Sequence, residues 1–345
     1  MVILNKIESK FKALKHEKEF AFPQIKHKNI YLFSIPTFGN IGDLAIVEAE
    51  RKFLNDNYSD WNLILIPDYA TNKAVKFIKK NINNEDLILI HGGGNVGNLY
   101  PKAERDRRKV IKSFKNTRIL SLPQSVYFSK DVRGDFELKK SRHVYSKNKN
   151  LTLIARDNNS LKKLKKLNQK TLLTPDIVFY FNKIKGYDLD RKDDVLFILR
   201  NDNEKQVSDA NINKIIGILR QKGLNYQLSD TTVNENFIQE DERKRLLKDK
   251  FNQFLKSKLV ITDRLHGMIF SYLTRTPCMV IANNNGKIKA TYNTWLKDIS
   301  FIKFVDRFNI QNLNEIVDYM LSVKVDLNKD FDSDLFDPIK DWMNK

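Results

Sequence analysis

The sequence predicts an α/β protein of two Rossmann-like, doubly wound domains facing a cleft, and three features carry that expectation. Short aliphatic and β-branched runs alternate with longer amphipathic, lysine-rich segments, the pattern of repeated strand–helix units and of parallel sheets covered by helices. The rhythm restarts after a single polar stretch, 182–194. A chain of 345 residues suits two domains at roughly 100–200 residues each, here 1–185 and 186–345.

In the first domain, strands are expected at 29–34, 62–66, 86–91, 118–122 and 151–155, each followed by a loop and a helical pattern. The helix expected over 43–54 has Leu44, Val47, Phe53 and Leu54 near helical spacing. Acidic Asp43 stands at its N-terminal end, where the helix dipole favours a negative charge. In the second domain, strands are expected at 195–199, 224–228, 259–262, 277–281 and 301–304, with helices such as 211–221 and 241–254 between them. Cys278, the one cysteine, falls in the apolar run Pro277-Cys278-Met279-Val280-Ile281 and reads as a buried strand residue. A lone cysteine excludes an internal disulfide framework and a cysteine-based zinc site.

Lys+Arg 61 against Asp+Glu 42 gives a formal charge of +19, spread along the chain. Such a field favours an anionic partner: nucleic acid, an anionic membrane face or a phosphorylated substrate. Many of these lysines also serve as solvated helix faces that keep a protein soluble. No RNP-type aromatic motif, zinc finger or other nucleic-acid module is visible, so no nucleic-acid partner is expected. Residues 1–20 carry lysines and glutamates throughout and lack the apolar core of a signal peptide. No stretch reaches the roughly 18 uninterrupted apolar residues of a membrane span. The expectation is a cytoplasmic protein that, if it works at a membrane, does so peripherally at the inner face.

In open α/β sheets ligands gather beyond the C-terminal strand ends, so the chemistry belongs in the loops after the strands. The first such loop is Pro36-Thr37-Phe38-Gly39-Asn40-Ile41-Gly42-Asp43. Its glycines permit close approach of backbone to a phosphate or sugar before a helix N-terminus; a tight turn with Asp43 capping its helix fits equally well. The third strand runs into His91-Gly92-Gly93-Gly94-Asn95-Val96-Gly97, which matches the dinucleotide spacing at Gly92, Gly94 and Gly97. The acidic ribose partner expected about 20 residues on is missing, since 112–130 holds no Asp or Glu. An esterase-type oxyanion loop would need a G-x-S-x-G elbow, which the chain lacks. What survives is a loop of backbone N–H groups for a phosphate, carboxylate or hydroxyl.

Pro123-Gln124-Ser125 follows the fourth strand and Arg156-Asp157 the fifth; Arg156 could hold a carboxylate or phosphate bidentately, or form a surface turn with Asp157. Arg200-Asn201-Asp202 carries the same ambiguity in the second half. Thr262-Asp263-Arg264-Leu265-His266-Gly267 opens an apolar helix, with Arg264 and His266 in a first turn that draws anions. Beside an anionic substrate His266 would be favoured as imidazolium and could act as a general acid, although a lone histidine is more often structural. Asn283-Asn284-Asn285-Gly286-Lys287 brings another cation to the same sheet edge.

Gly39-Asn40-Ile41-Gly42-Asp43, Gly92-Gly93-Gly94-Asn95, Pro123-Gln124-Ser125, Arg156-Asp157, Pro175-Asp176, Arg200-Asn201-Asp202, Asp263-Arg264-Leu265-His266-Gly267 and Asn285-Gly286-Lys287 through Trp295-Leu296 occur in one order. In that order, over about residues 30–305, the chain resembles the polysaccharide pyruvyl transferase family. The resemblance implies a fold similar to that of B-type glycosyltransferases, with the acceptor side in the first domain and the donor side in the second, which ends in a helix. It implies phosphoenolpyruvate as co-substrate, no cofactor or metal, and a sugar of a bacterial surface polysaccharide, free or lipid-linked, as acceptor.

Carried onto this chain, the donor-binding arginines fall on Arg156 and Arg264, the catalytic histidine on His266 and the lysine on Lys287, with Lys289 two residues on as its competitor. Asn40, Gly42, Asp43, Gly93, Gly94, Asn95, Gln124, Ser125 and Arg200 are the expected substrate contacts. The rival expectation is a nucleotide-sugar-dependent glycosyltransferase, which would share fold and basic loops.

Overall fold

The computed structural model describes residues 2–184, 191, 194–200, 207–282, 286–306, 310–327 and 330–345. Asn201, Asp202, Asn283, Asn284 and Asn285, named among the expected loop residues, lie outside them. The contacts divide the chain into two compact units: Met1–Thr37 with Glu50–Ile177, and Phe38–Ala49 with Val178–Lys345. The sequence places one break at 185/186; the contacts move the short segment 38–49 out of the first half and into the second unit.

The strands are β1 (Asn29–Ile35), β2 (Phe38–Asn40), β3 (Asn62–Pro67), β4 (Leu87–Ile90), β5 (Gly93–Gly97), β6 (Ile119–Tyr127), β7 (Leu151–Ala155) and β8 (Thr171–Leu173). They continue as β9 (Asp194–Ile198), β10 (Asn225–Ser229), β11 (Thr232–Asn236), β12 (Leu259–Thr262), β13 (Cys278–Ile281) and β14 (Ile302–Val305). In the first unit an all-parallel sheet runs β3-β1-β4-β6-β7-β8, with β5 added alongside β6. In the second unit a parallel sheet runs β10-β9-β12-β13-β14.

Parallel strands buried on both faces must be apolar along their whole length, which is why β4 reads Leu-Ile-Leu-Ile and β13 reads Cys-Met-Val-Ile, each buried throughout. Each such side chain taken from water stabilises by about 1.5–3 kcal/mol, so these runs define the two cores. Burial pushes the Cys278 thiol up to about 12, as befits a strand residue rather than a reactive one.

The helices supply the polar faces and their own start signals. Asp131 caps the helix Val132–Lys147 by accepting the Gly134 N–H, and Asp157 caps Asn158–Leu164 by accepting the Ser160 N–H. Pro101 opens the helix Pro101–Ser113, where its missing N–H costs nothing. The C-terminal helix Asp337–Met343 buries Ile339, Trp342 and Met343. Among the described residues, no helix is long and apolar enough to cross a membrane.

Both sheets share one topology. Counting only the strands along each parallel path, the spatial order is second, first, third, fourth, fifth, with β8 as a sixth strand in the first unit, so each reverses direction once. The reversals fall between β1 and β4 in one unit and between β9 and β12 in the other. A reversal leaves a crevice beyond the strand ends, because the two chains leave toward opposite faces. The residues after those four strands are therefore the ones the fold offers to a ligand.

Candidate functional site

At the reversal in the second unit, β9 is followed by Arg200 and β12 by Asp263, Arg264 and the helix Leu265–Leu273. Thr262 Oγ1 donates to the Ile198 carbonyl at 2.7 Å and accepts the Arg264 N–H at 3.0 Å, locking the two strand ends together. The Asp263 carboxylate accepts the Arg200 N–H at 2.8 Å. Burial raises the Asp263 carboxyl above its ordinary value, against the opposing pull of that N–H and of the Arg264 and Arg200 guanidiniums.

Arg264 is the N-cap of the helix, with extended backbone and its guanidinium on Asp230 at 2.6 Å. Gly267 is required by close packing, since a Cβ there would sit 2.2 Å from Thr262 Oγ1. These contacts leave Arg264 nearly buried and His266 half-buried, on the first turn of an apolar helix, with the His266 ring 5.9 Å from Phe270.

The segment 38–49 packs here too. The strand β2 pairs antiparallel with β11, Thr232 opposite Asn40 and Asn236 opposite Phe38, and the Ile41 N–H donates to the Thr231 carbonyl at 2.8 Å. Arg243 holds Glu48 at 2.6 Å, and Leu44 is buried with Ile238 and Leu246. The helix therefore begins at Ile41 rather than at Asp43, with Asn40 Oδ1 accepting the Gly42 N–H at 3.0 Å. A Cβ on Gly42 would lie 2.2 Å from His266 Nδ1, so this glycine exists to let the imidazole lie against the helix. Asn40, Gly42 and Asp43, expected on the first domain, belong with His266.

The two lysines differ in their commitments. Lys287 is half-buried and opens the helix Lys287–Thr291. Lys289 is exposed, ion-paired with Asp306 and 5.9 Å above the Phe304 ring.

At the reversal in the first unit, β4 runs directly into His91. Its Nδ1 meets Glu50 Oε2 at 2.7 Å, and Glu50 Oε1 accepts the Gly92 N–H at 2.7 Å. Both side chains are buried, and among the described residues His91 Nε2 has no hydrogen-bond partner. Gln124 donates to the His91 carbonyl at 2.6 Å. Ser34, at the end of β1, holds φ 68, a left-handed backbone that a non-glycine residue adopts only under constraint.

The glycine run is not the open loop of free N–H groups that the sequence predicts. Residues 93–97 form β5 beside β6, the Gly92 N–H is taken by Glu50 and the Gly97 N–H by Glu104 at 3.3 Å. Positive φ at Gly93 and Gly97, 114 and 126, is what makes glycine necessary at both ends. The register shift between Gly93 and Val96 leaves Gly94 and Asn95 outside the ladder.

Gln124 and Ser125 lie within β6 rather than after a strand, and both are buried. Arg156 is not a surface turn with Asp157. It is buried, pairs with Asp176 at 2.6 Å and donates to Ser125 Oγ at 2.8 Å, while Asp157 accepts from Ser125 and Ser160. Its Nη2 lies 3.0 Å from where a Cβ on Gly94 would sit, so the arginine is beside the glycine run.

Three groups escaped the sequence reading. Glu50 supports His91 from a helix 41 residues earlier. Asp230 holds Arg264. Glu104 and Arg107 form a buried pair at 2.8 Å; Glu104 also accepts from Ser141 and Tyr145, and Arg107 holds both the carbonyl and the side-chain oxygen of Asn95. The spacing of Glu104 and Arg107 on one helix face was the available signal for that pair.

Chemically, the second-unit loops put two guanidiniums and an imidazole near one crevice, suited to a small dianion and a proton transfer. The first-unit loops are neutralised cations and neutral polar groups, suited to hydroxyls. Among the described residues, no cluster of three His, Cys, Asp or Glu side chains could hold a metal ion.

Comparison with known proteins gives a family and a fold. A family profile described as Polysaccharide pyruvyl transferase matches residues 40–285. General stress protein 30 of Bacillus subtilis is 40% identical over 309 residues, 88% of this chain and 89% of its own length. Pyruvyl transferase 1 of Schizosaccharomyces pombe is 31% identical over 301 residues, 81% of this chain and 74% of its own length. The crystal structure of Methanocaldococcus jannaschii UDP-GlcNAc 2-epimerase aligns with TM-score 0.51 and 13% identity, covering 92% of this chain and 99% of that one. That last likeness concerns the fold alone, which in each unit is Rossmann-like.

Proposed function

This chain belongs to the polysaccharide pyruvyl transferase family, a family of transferases, and we propose that it moves the pyruvyl group of phosphoenolpyruvate onto two hydroxyls of a sugar, closing a cyclic ketal. The acceptor is a sugar of a surface polysaccharide or of its lipid-linked precursor. The observation that carries the reading is the emergence of Arg264 and His266 together at the second unit's strand reversal, with Gly42 stripped of a side chain to admit the imidazole.

Phosphoenolpyruvate presents a phosphate and a carboxylate, whose desolvation several cations must offset. Arg264, Arg200 and Lys287 take that role. His266 donates a proton to the methylene carbon, which becomes a methyl group and leaves C2 electrophilic. A sugar hydroxyl oxygen bonds to C2 and loses its proton to a base, for which Asp43, the residue after Gly42, is the candidate. A second hydroxyl then bonds to C2, giving its proton to the now neutral His266 imidazole, as the C2–O bond to phosphate breaks and phosphate departs with the electron pair.

On the first unit, Gly93, Gly94 and Asn95 meet the sugar, backed by Gln124 and Ser125. Arg156, paired with Asp176 as Arg264 is with Asp230, lies beside Gly94 and is the first unit's cation for an anionic substrate group.

The test is phosphate release from phosphoenolpyruvate in the presence and absence of an oligosaccharide or lipid-diphosphate glycan, with the product examined by mass spectrometry and NMR. Acceptor-dependent release and a ketal methyl signal on the glycan are expected. Acceptor-independent release would instead describe a phosphatase and overturn the reading.

A further inference from the structure

The first unit carries a second feature that pyruvyl transfer does not use. Its helices Pro101–Ser113 and Val132–Lys147 cross over successive neighbours β4, β6 and β7 in the same direction, so they lie side by side on one face of the sheet. A groove of about 700 Å³ runs between them. Arg105, Lys109 and Lys112 line it from one helix, and Lys139, Lys140 and His143 from the other. On the second helix, Val132 and Phe136 project one turn apart, 87% and 57% exposed.

The acids of these helices do little to offset that charge. Glu137 is held by Arg108 at 2.7 Å and Lys140 at 3.3 Å, Asp106 by Lys102 at 2.9 Å, and Glu104 is buried with Arg107, leaving Asp135 in the first turn as the remaining acid. Arg105, Lys112 and Lys139 make no ion pair among the described residues.

A surface that gathers like charges around one groove and exposes an aromatic ring among them is unfavourable in water on both counts. One environment relieves both: a phosphate-bearing surface with an apolar layer beneath it. We propose that this face docks the protein on an anionic bilayer, the groove cations taking up lipid phosphates while Phe136 and Val132 enter the interface. A nucleic acid fits less well. Single-strand binding uses several aromatic platforms, whereas here one ring stands, already beneath the Lys140 ammonium at 4.0 Å, and Val132 contributes nothing to a phosphate backbone.

The inference goes beyond the pyruvyl-transfer reading. Vesicle binding needs neither donor nor acceptor, so either idea can fail while the other stands. The experiment is sedimentation of the full chain with phosphatidylcholine vesicles with and without phosphatidylglycerol, at two salt concentrations.

The wild type is expected to bind only the anionic vesicles, less so at high salt. Removing Arg105, Lys112 and Lys139 together as alanines should lower the partition coefficient roughly 100-fold, at about fivefold per cation. Phe136→Ser should lower it severalfold at unchanged charge. Lys248→Ala with Lys297→Ala, exposed lysines of the second unit, should leave it near the wild-type value. Absence of wild-type binding, or the same loss per charge in the control pair, would overturn the assignment. So would tighter binding of a mixed-sequence RNA that the groove variants abolish, which would give the groove to nucleic acid.

Discussion

Replacing Gly42 with alanine puts two opposing effects in the same residue. Alanine in a helix is favoured over glycine by about 0.8–1 kcal/mol, so propensity alone predicts a gain in stability. The structure reverses the sign. The added Cβ would stand 2.2 Å from His266 Nδ1, 2.6 Å from Cγ and 3.0 Å from Cε1, where carbon contacts settle near about 3.5–4 Å. The imidazole must therefore move by more than about 1 Å. The buried, paired Arg264 just before it and Phe270 beneath it oppose that movement.

Overpacking of this kind costs about 1–3 kcal/mol, which exceeds the propensity gain. A displacement of about 1 Å in a reacting group can cost about 10²-fold in turnover. Gly42→Ala should thus lose activity by that order and melt lower. Gly217→Ala, where a Cβ meets nothing within 4 Å, should keep its activity and gain about 0.5–1 kcal/mol. Phosphate release and differential scanning calorimetry on the two variants make the comparison. A Gly42→Ala protein with wild-type turnover and a raised melting point would refute the placement of His266 against this helix.

Glu50→Gln should keep the bond from the Gly92 N–H but donate to His91 Nδ1, forcing the ring proton onto Nε2; nitrogen-detected NMR of the ring reads the tautomer, and a stability loss of about 1–3 kcal/mol should accompany it. Arg107→Leu should destabilise by about 3–5 kcal/mol by leaving Glu104 buried and uncompensated, and should release Asn95; urea unfolding measures the first effect. For Asp263, the folded carboxyl is raised by burial, so its favourable contribution is present below the ordinary carboxylate range and is lost as pH rises through the raised value. Asp263→Asn, which can still accept the Arg200 N–H, should therefore compare better with the wild type in melting temperature at pH 7 than at pH 4; the opposite trend would contradict the shift.

The strands most plainly legible in the sequence are those whose burial on both faces demands an unbroken aliphatic run, such as β4, β7, β12 and β13; the polar edge strand β10 is placed by the strand–helix rhythm instead. The missed ones lack that demand. The strand β5 is three glycines around Asn95 and Val96, and its place is set by β6 rather than by its own propensity. The strands β2 and β11 form a short polar ribbon that only a long-range contact defines. The same non-locality hid the membership of 38–49: Glu48 meets Arg243 across 195 residues, and no local pattern records that.

For the candidate site, residue types after each strand were enough to nominate Arg200, Arg264 and His266, because a parallel sheet presents its C-terminal ends to ligands whatever the details. Their partners were not legible. Asp176 stands out only within the Pro175-Asp176 motif, with no pointer to Arg156, and Asp230 is an ordinary loop acid in the sequence; it is their geometry that decides how far Arg156 and Arg264 are already neutralised.

The central claim is that phosphoenolpyruvate binds at the Arg264 and His266 loop. Thermal-shift titration of the wild type and of Arg264→Ala with phosphoenolpyruvate, against phosphate and UDP, tests it most directly, because a ligand held only by the native state raises the melting point with concentration. The account predicts stabilisation by phosphoenolpyruvate beyond that by phosphate, and its loss in Arg264→Ala. Stabilisation by UDP with none by phosphoenolpyruvate would contradict it and point to a nucleotide-sugar donor.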